Sequence, residues 1–255
     1  MIRTALAARP AAPPPVARRG APGRFSPAAA EPPPPEPDWE RLDPRGWYPQ
    51  FGKRALSVAL LLIALPCAAL LSIPIALVNW AIFRDASRIL YHQPRVGYHG
   101  RVFSIVKFRT MRETSRDAFA SWKEGHEGLR VTRFGRFLRN THLDELPQLL
   151  NVLRGEMDFI GPRPEMIEIY LWACEHVPGF RHRHAILPGI TGLAQVTQGY
   201  TGMDEEAYTK KLAADLVYLQ CHSLRLDLEI LARTAVWMLR GRGWRWQPRA
   251  PQVVA

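Results

Sequence analysis

Two adjacent carboxylates, Asp144 and Glu145, sit in a stretch dense with guanidinium groups: Arg133, Arg136 and Arg139 precede them, and Arg154 and Arg163 follow. A carboxylate can attack phosphorus, bind a divalent metal or move a proton. A guanidinium offers a planar fork that matches phosphate oxygens. Acid beside base in one compact segment therefore points to chemistry on phosphate.

The elements that must position these groups are partly readable. Leu143, Leu146, Leu149, Leu150 and Leu153 recur at helical spacing. Thr141 stands three residues before Asp144, a capping-box-like arrangement that predicts both acids in a first helical turn. There, unpaired N–H groups and the positive helix end would favour an ionised carboxylate. An isolated Asp-Glu pair would read first as an ordinary helix start. In Gly161-Pro162-Arg163-Pro164, two prolines restrict the backbone and present Arg163 on a stiff turn suited to clamping phosphate. Lys107 and Arg109 flank Phe108, so an extended chain points both to one face; a solvated edge strand is the competing reading. Arg181-His182-Arg183-His184 lacks a third ligand at suitable spacing and reads as a basic patch rather than a zinc site.

Ala55–Phe83 contains no charged residue and exceeds the roughly 20 residues that cross a bilayer. Lys53 and Arg54 precede it, Arg84 and Arg88 follow it, and Pro66 and Pro74 interrupt it. Positive charge at both ends and two helix breakers predict a segment that enters, bends and leaves by one face; the alternative is a simple span with a proline kink. Around it, a Pro-, Ala- and Arg-rich stretch to about Asp43 has little to bury and predicts a disordered tail. Gly241–Arg249 combines Trp and Arg as headgroup zones favour. Helix candidates fall at Arg133–Arg139, Glu165–His176, Glu205–Leu219 and Leu224–Leu239, with a short strand over Arg101–Phe108. The net charge of +11 over 255 residues implies an anionic partner. Cys67, Cys174 and Cys221 are odd in number and widely spaced, which argues against a disulfide framework or Cys-based zinc site.

The run LDELPQLLNVLRGEMDFIGPRP resembles the signature of the bacterial sugar transferases, monotopic phosphoglycosyl transferases that act on polyprenyl phosphate. The likeness extends from about Lys53 to Leu239, through PRVGYHGRVFSIVKFRTM (Pro94–Met111), LPGITGLAQV (Leu187–Val196) and the Asp215-Leu-Val-Tyr218 element. The resemblance implies that Asp144 is the nucleophile toward a UDP-sugar. It would form a phosphosugar-enzyme intermediate, release UMP and pass the phosphosugar to polyprenyl (undecaprenyl) phosphate. Glu145 becomes its acidic partner. Lys107, Arg109, Arg139, Arg163 and Asp215 become candidates for binding substrate and phosphate, with Mg²⁺ held at Asp144. The family pattern carries Arg and Trp where this chain has Leu187 and Leu193; Arg181 or Arg183 could supply the missing cation.

The combined expectation is a mainly α fold with few short strands, in which a re-entrant membrane helix feeds a compact catalytic domain at the cytoplasmic interface of the bacterial inner membrane. The boundaries are a tail over 1–46, a membrane segment over 47–88, a catalytic domain over 89–243 and a second tail over 244–255. UDP-sugar, polyprenyl phosphate and membrane lipids are the expected partners. Nucleic acid is not, and a homodimer stays open. A non-catalytic basic protein binding membrane or nucleic acid would explain the charge but not the apolar run or the Asp-Glu pair. A phosphohydrolase using the same groups would release phosphosugar to water without an acceptor.

Overall fold

A computed structural model describes residues 37–38, 42, 44–112, 130–199 and 204–241. Most of the expected tail over 1–46, the expected tail over 244–255, all but the last residue of the segment 113–130 and the Trp-Arg segment after Gly241 lie outside these residues. After a π-helical turn over Tyr48–Gly52 comes the long helix α1 (Lys53–Phe83). Strands β1 (Leu90–Val96) and β2 (Val102–Phe108) then form an antiparallel hairpin. Next are α2 (Arg133–Thr141), a 3₁₀ turn over Leu143–Gln148, and α3 (Leu149–Leu153). Short strands β3 (Asp158–Ile160) and β4 (Glu165–Met166) lead into α4 (Ile167–His176). A 3₁₀ turn over Phe180–Ala185, β5 (Gly189–Thr191) and α5 (Leu193–Gln198) precede α6 (Glu205–Gln220) and α7 (Leu224–Leu239). One sheet has the order β2-β1-β4, and β3 pairs in parallel with β5. The fold is mostly helical with few, short strands.

Tyr48–Phe83 is long and apolar enough to cross a membrane, and only 17% of its most apolar stretch is buried in the protein, whereas a core helix of a soluble domain is mostly covered. The helix runs without interruption through Pro66 and Pro74 to a left-handed cap at Arg84, so the break expected at a proline is absent. Each proline removes one backbone hydrogen bond. The flanking turns are held by packing: Leu61 and Ala68 join a cluster with Ile105, Leu149, Val152 and Met157, and Ile75 joins Phe108 and Leu138. Buried positions 53, 57, 61, 68, 75 and 79 fall on one stripe. Leu62, Ile63, Leu70, Ile73, Leu77 and Trp80 are exposed.

Both ends of α1 are tied to the rest of the fold by polar contacts. Lys53 Nζ donates to Tyr218 OH at 2.7 Å and to Asp227 Oδ2 at 3.0 Å, while Tyr218 OH donates to the other oxygen of Asp227 at 2.5 Å. Ser57 donates to Asp158. At the far end, Asn79 Nδ2 donates to the carbonyls of Ile89 and Arg109 at 3.2 and 3.0 Å. Asp227 is fully buried, and removing the only cation that contacts it among the described residues leaves a buried charge uncompensated, which costs about 3–5 kcal/mol. Lys53→Met is therefore expected to lower the thermal midpoint of the detergent-solubilised protein by about 10 °C. An unchanged midpoint would show that this network does not anchor the helix.

Candidate active site

The turn that carries the two acids differs from the expected α-helical start. Thr141 closes α2: its hydroxyl donates to the carbonyls of Phe137 and Leu138 at 2.9 and 3.2 Å. His142 then adopts a left-handed conformation (φ 58°) and the chain enters the 3₁₀ turn, with Pro147 inside it and no side-chain cap. Pro147 lacks the N–H that an α-helical ladder needs, and Leu143 and Leu146 pack into the cluster around Leu138 at the 3₁₀ period of three. Thr132 is the residue that caps a helix here, accepting from Gly135 N at 2.8 Å. Gly135 is required because a Cβ there would lie 2.1 Å from the Thr110 carbonyl oxygen; this approach brings α2, and Arg139 with it, against the end of β2.

Four of the expected site residues converge on Asp144. Lys107 Nζ donates to Glu145 Oε1 at 2.9 Å. Arg163 grips the same carboxylate with both terminal nitrogens, Nη2 to Oε1 at 2.5 Å and Nη1 to Oε2 at 3.3 Å. Arg139 donates through Nε to Thr110 Oγ1 at 2.9 Å and lies close enough to Asp144 to act on its charge. Burial pushes the Glu145 carboxyl up, but Arg163 and then Lys107 outweigh it and hold it well below the usual range. Asp144 is different. It is 8% exposed, and among the described residues no hydrogen bond or ion pair ends on it. Burial, and next the charge of Glu145, raise its carboxyl to about 6 against the pull of Lys107, Arg139 and Arg163. One acid is thus neutralised by two cations and its neighbour is left unpartnered within their field.

Arg109 and Asp215 lie elsewhere. Arg109 donates through Nε to the Arg88 carbonyl at 3.1 Å and stacks over Tyr91; β2 ends at Phe108, so the alternation that would aim it with Lys107 stops there. Asp215 is buried behind the site and accepts from Arg183 Nε at 2.7 Å. Leu193 packs against the core around Ile160, Tyr218 and Ile230, and Arg183 is fully buried in its pair with Asp215. The three cysteines are unpaired.

Sequence reasoning missed His142. Its ring lies 5.6 Å from that of Trp237, and burial lowers its pKa with Glu145 opposing. A histidine between two helical segments gives no signal of a left-handed turn. No cluster of three metal-ligating side chains occurs among the described residues. Mg²⁺, however, is bound by one or two carboxylates together with substrate phosphates, and the unpartnered Asp144 beside Glu145 fits that donor set.

These groups set an acidic pair among three cations, beside a helix that has the length and apolarity of a membrane segment. The chain belongs to the bacterial sugar transferase family, which it matches over residues 48–241. It is 36% identical over 197 residues to a UDP-N-acetylgalactosamine-undecaprenyl-phosphate N-acetylgalactosaminephosphotransferase of Aeromonas hydrophila, covering 76% of this chain and 45% of that protein. It is 44% identical over 154 residues to a UDP-glucose:undecaprenyl-phosphate glucose-1-phosphate transferase of Caulobacter vibrioides, covering 59% and 56%. The chain spans about half the length of these two relatives. It is also 38% identical to the exopolysaccharide production protein ExoY of Rhizobium meliloti over 208 residues, 75% of this chain and 85% of that protein.

Proposed function

We propose that this protein is a phosphoglycosyl transferase that moves a phosphosugar from a UDP-sugar to polyprenyl phosphate and so initiates a surface glycan. The observation that carries the reading is Asp144: a buried carboxylate with no partner among the described residues, beside an acid that holds two phosphate-matching cations. A carboxylate oxygen of Asp144 attacks the sugar-bearing phosphorus of the donor. The bond from that phosphorus to the bridging oxygen breaks, UMP leaves with the electron pair, and an aspartyl-phosphosugar remains. A phosphate oxygen of the polyprenyl acceptor then attacks the same phosphorus and expels Asp144, giving polyprenyl-diphosphate-sugar. Arg163 and Lys107 hold phosphate oxygens, and Arg139 limits repulsion between Asp144 and the incoming anion. Mg²⁺ at Asp144 would supply further charge neutralisation on phosphate.

The same reading places the active site at a cytoplasmic membrane surface. Lys53 at one end of α1 and Asn79 near the other both contact the rest of the fold, so the proposed entry and exit by one face requires a bend within the continuous helix at Pro66 or Pro74. Cysteines introduced at exposed Arg45 and Arg88, in a variant lacking the native cysteines, are expected to react with an impermeant reagent from the same side of the membrane; opposite-side labelling would establish a span. The reaction itself is tested by UMP release across UDP-sugars, with and without polyprenyl phosphate and Mg²⁺. The expected pattern is about one equivalent of UMP without acceptor and continuous turnover only with it. Continuous release without acceptor would identify a hydrolase.

A further inference from the structure

Pro162, Arg163 and Pro164 form a turn with only one backbone N–H, so neighbouring elements secure it through its carbonyls. All three are captured. Gly189 N donates to the Pro162 carbonyl at 3.0 Å, Arg183 Nη2 to that of Arg163 at 2.9 Å, and Arg95 Nη1 to that of Pro164 at 3.1 Å. The two arginines are themselves fixed. Arg183 is fully buried and paired with Asp215, and its Nη1 lies 4.0 Å from Glu165, which Lys211 also binds. Arg95 is held by Gln93 Oε1 through Nε and Nη2 at 3.2 and 2.7 Å. Neither arginine contacts the Asp144–Glu145 pair through any of these bonds.

We propose that Arg183, anchored on Asp215, is a positioning residue that sets the Arg163 guanidinium for phosphate by holding its main-chain carbonyl, with Arg95 securing the next one. A buried ionic chain is an expensive way to brace a turn, since apolar packing often serves stability as well. Its directional guanidinium donors fix the backbone from which the working arginine projects, and errors of about 1 Å in such placement can cost about a hundredfold in rate. The inference rests on Arg163 serving phosphate, as the proposed function has it.

The test is a double-mutant cycle read by two probes: the affinity of the full chain for inorganic pyrophosphate, and kcat/KM for the UDP-sugar. Arg183→Lys keeps a cation for Asp215 but loses the fork that spans to the Arg163 carbonyl. It is expected to weaken both readouts about tenfold when Arg163 is present and less than about twofold in the Arg163→Ala background, because a positioning residue has nothing left to position. Equal losses in both backgrounds, or none in the first, would overturn the proposal, as would a wild-type protein that does not bind pyrophosphate. Should Arg183→Lys fail to fold, Arg95→Lys serves in the same cycle, since it leaves the buried Arg183–Asp215 pair intact. Coupling seen with pyrophosphate in a protein that turns over no UDP-sugar would uphold the positioning role while rejecting the donor.

Discussion

Asp144→Asn is expected to eliminate the aspartyl-phosphosugar and cut turnover by about a thousandfold or more, while making the protein more stable at neutral pH. The two effects share one cause. Burial and Glu145 raise the Asp144 carboxyl to about 6, above its ordinary value, so the folded state disfavours the ionised form that attacks. Ionisation then favours the unfolded chain: native stability is highest below the ordinary carboxylate pKa and declines as pH rises toward 6. An amide removes that penalty. Two pKa units correspond to a ceiling of about 3 kcal/mol, and the advantage should narrow as pH is lowered from 8 to 5. Thermal unfolding of both proteins across that range measures it; an Asn variant less stable at pH 8 would contradict the assignment. For the wild type, kcat/KM for adduct formation should fall on the acid side with a midpoint near 6, because the attacking species is the carboxylate. Intact-mass analysis after mixing with UDP-sugar checks the adduct directly.

Much of the architecture is legible in the chain because local pattern and tertiary role agree. Uncharged length declares α1, and leucine and alanine periodicity mark Glu205–Leu219 and Leu224–Leu239, which the structure matches to within a residue. Lys107 lies in the expected strand, since β2 extends to Phe108, but its pairing with Glu145 is visible only in the fold. Legibility fails where the outcome depends on contacts distant in sequence. Thr141 has the spacing of a cap, yet its hydroxyl is used by the preceding helix, and Pro147 turns the expected α-helix into a 3₁₀ segment. Asp215 is recognisable as part of a motif, but only the fold shows that Arg183 lies between it and the Arg163 backbone. The α1 prolines signal a break, yet the helix continues past both, with Leu61, Ala68 and Ile75 packed against the rest of the fold.

Glu145→Gln should divide binding from turnover. This carboxylate engages both Lys107 and Arg163, the two cations that the proposed function assigns to a donor phosphate. Glutamine preserves the shape but leaves those charges without a counter-ion in a largely buried site. Breaking one partner of such a pair costs about 3–5 kcal/mol, so the ligand-free variant should unfold at a clearly lower temperature than wild type. An anion restores the balance. UDP should therefore raise the variant's midpoint more than the wild type's, and its dissociation constant should fall by about tenfold, because phosphate no longer competes with a resident carboxylate. Turnover moves the other way. Lys107 and Arg163 hold phosphate too firmly in the ground state for binding to be converted into rate. Thermal shift with UDP, followed by UMP release under saturating donor, separates the effects. A variant with unchanged midpoint and unchanged UDP affinity would mean that Glu145 does not stand in for phosphate, and that the cations around Asp144 are held by something other than this pair.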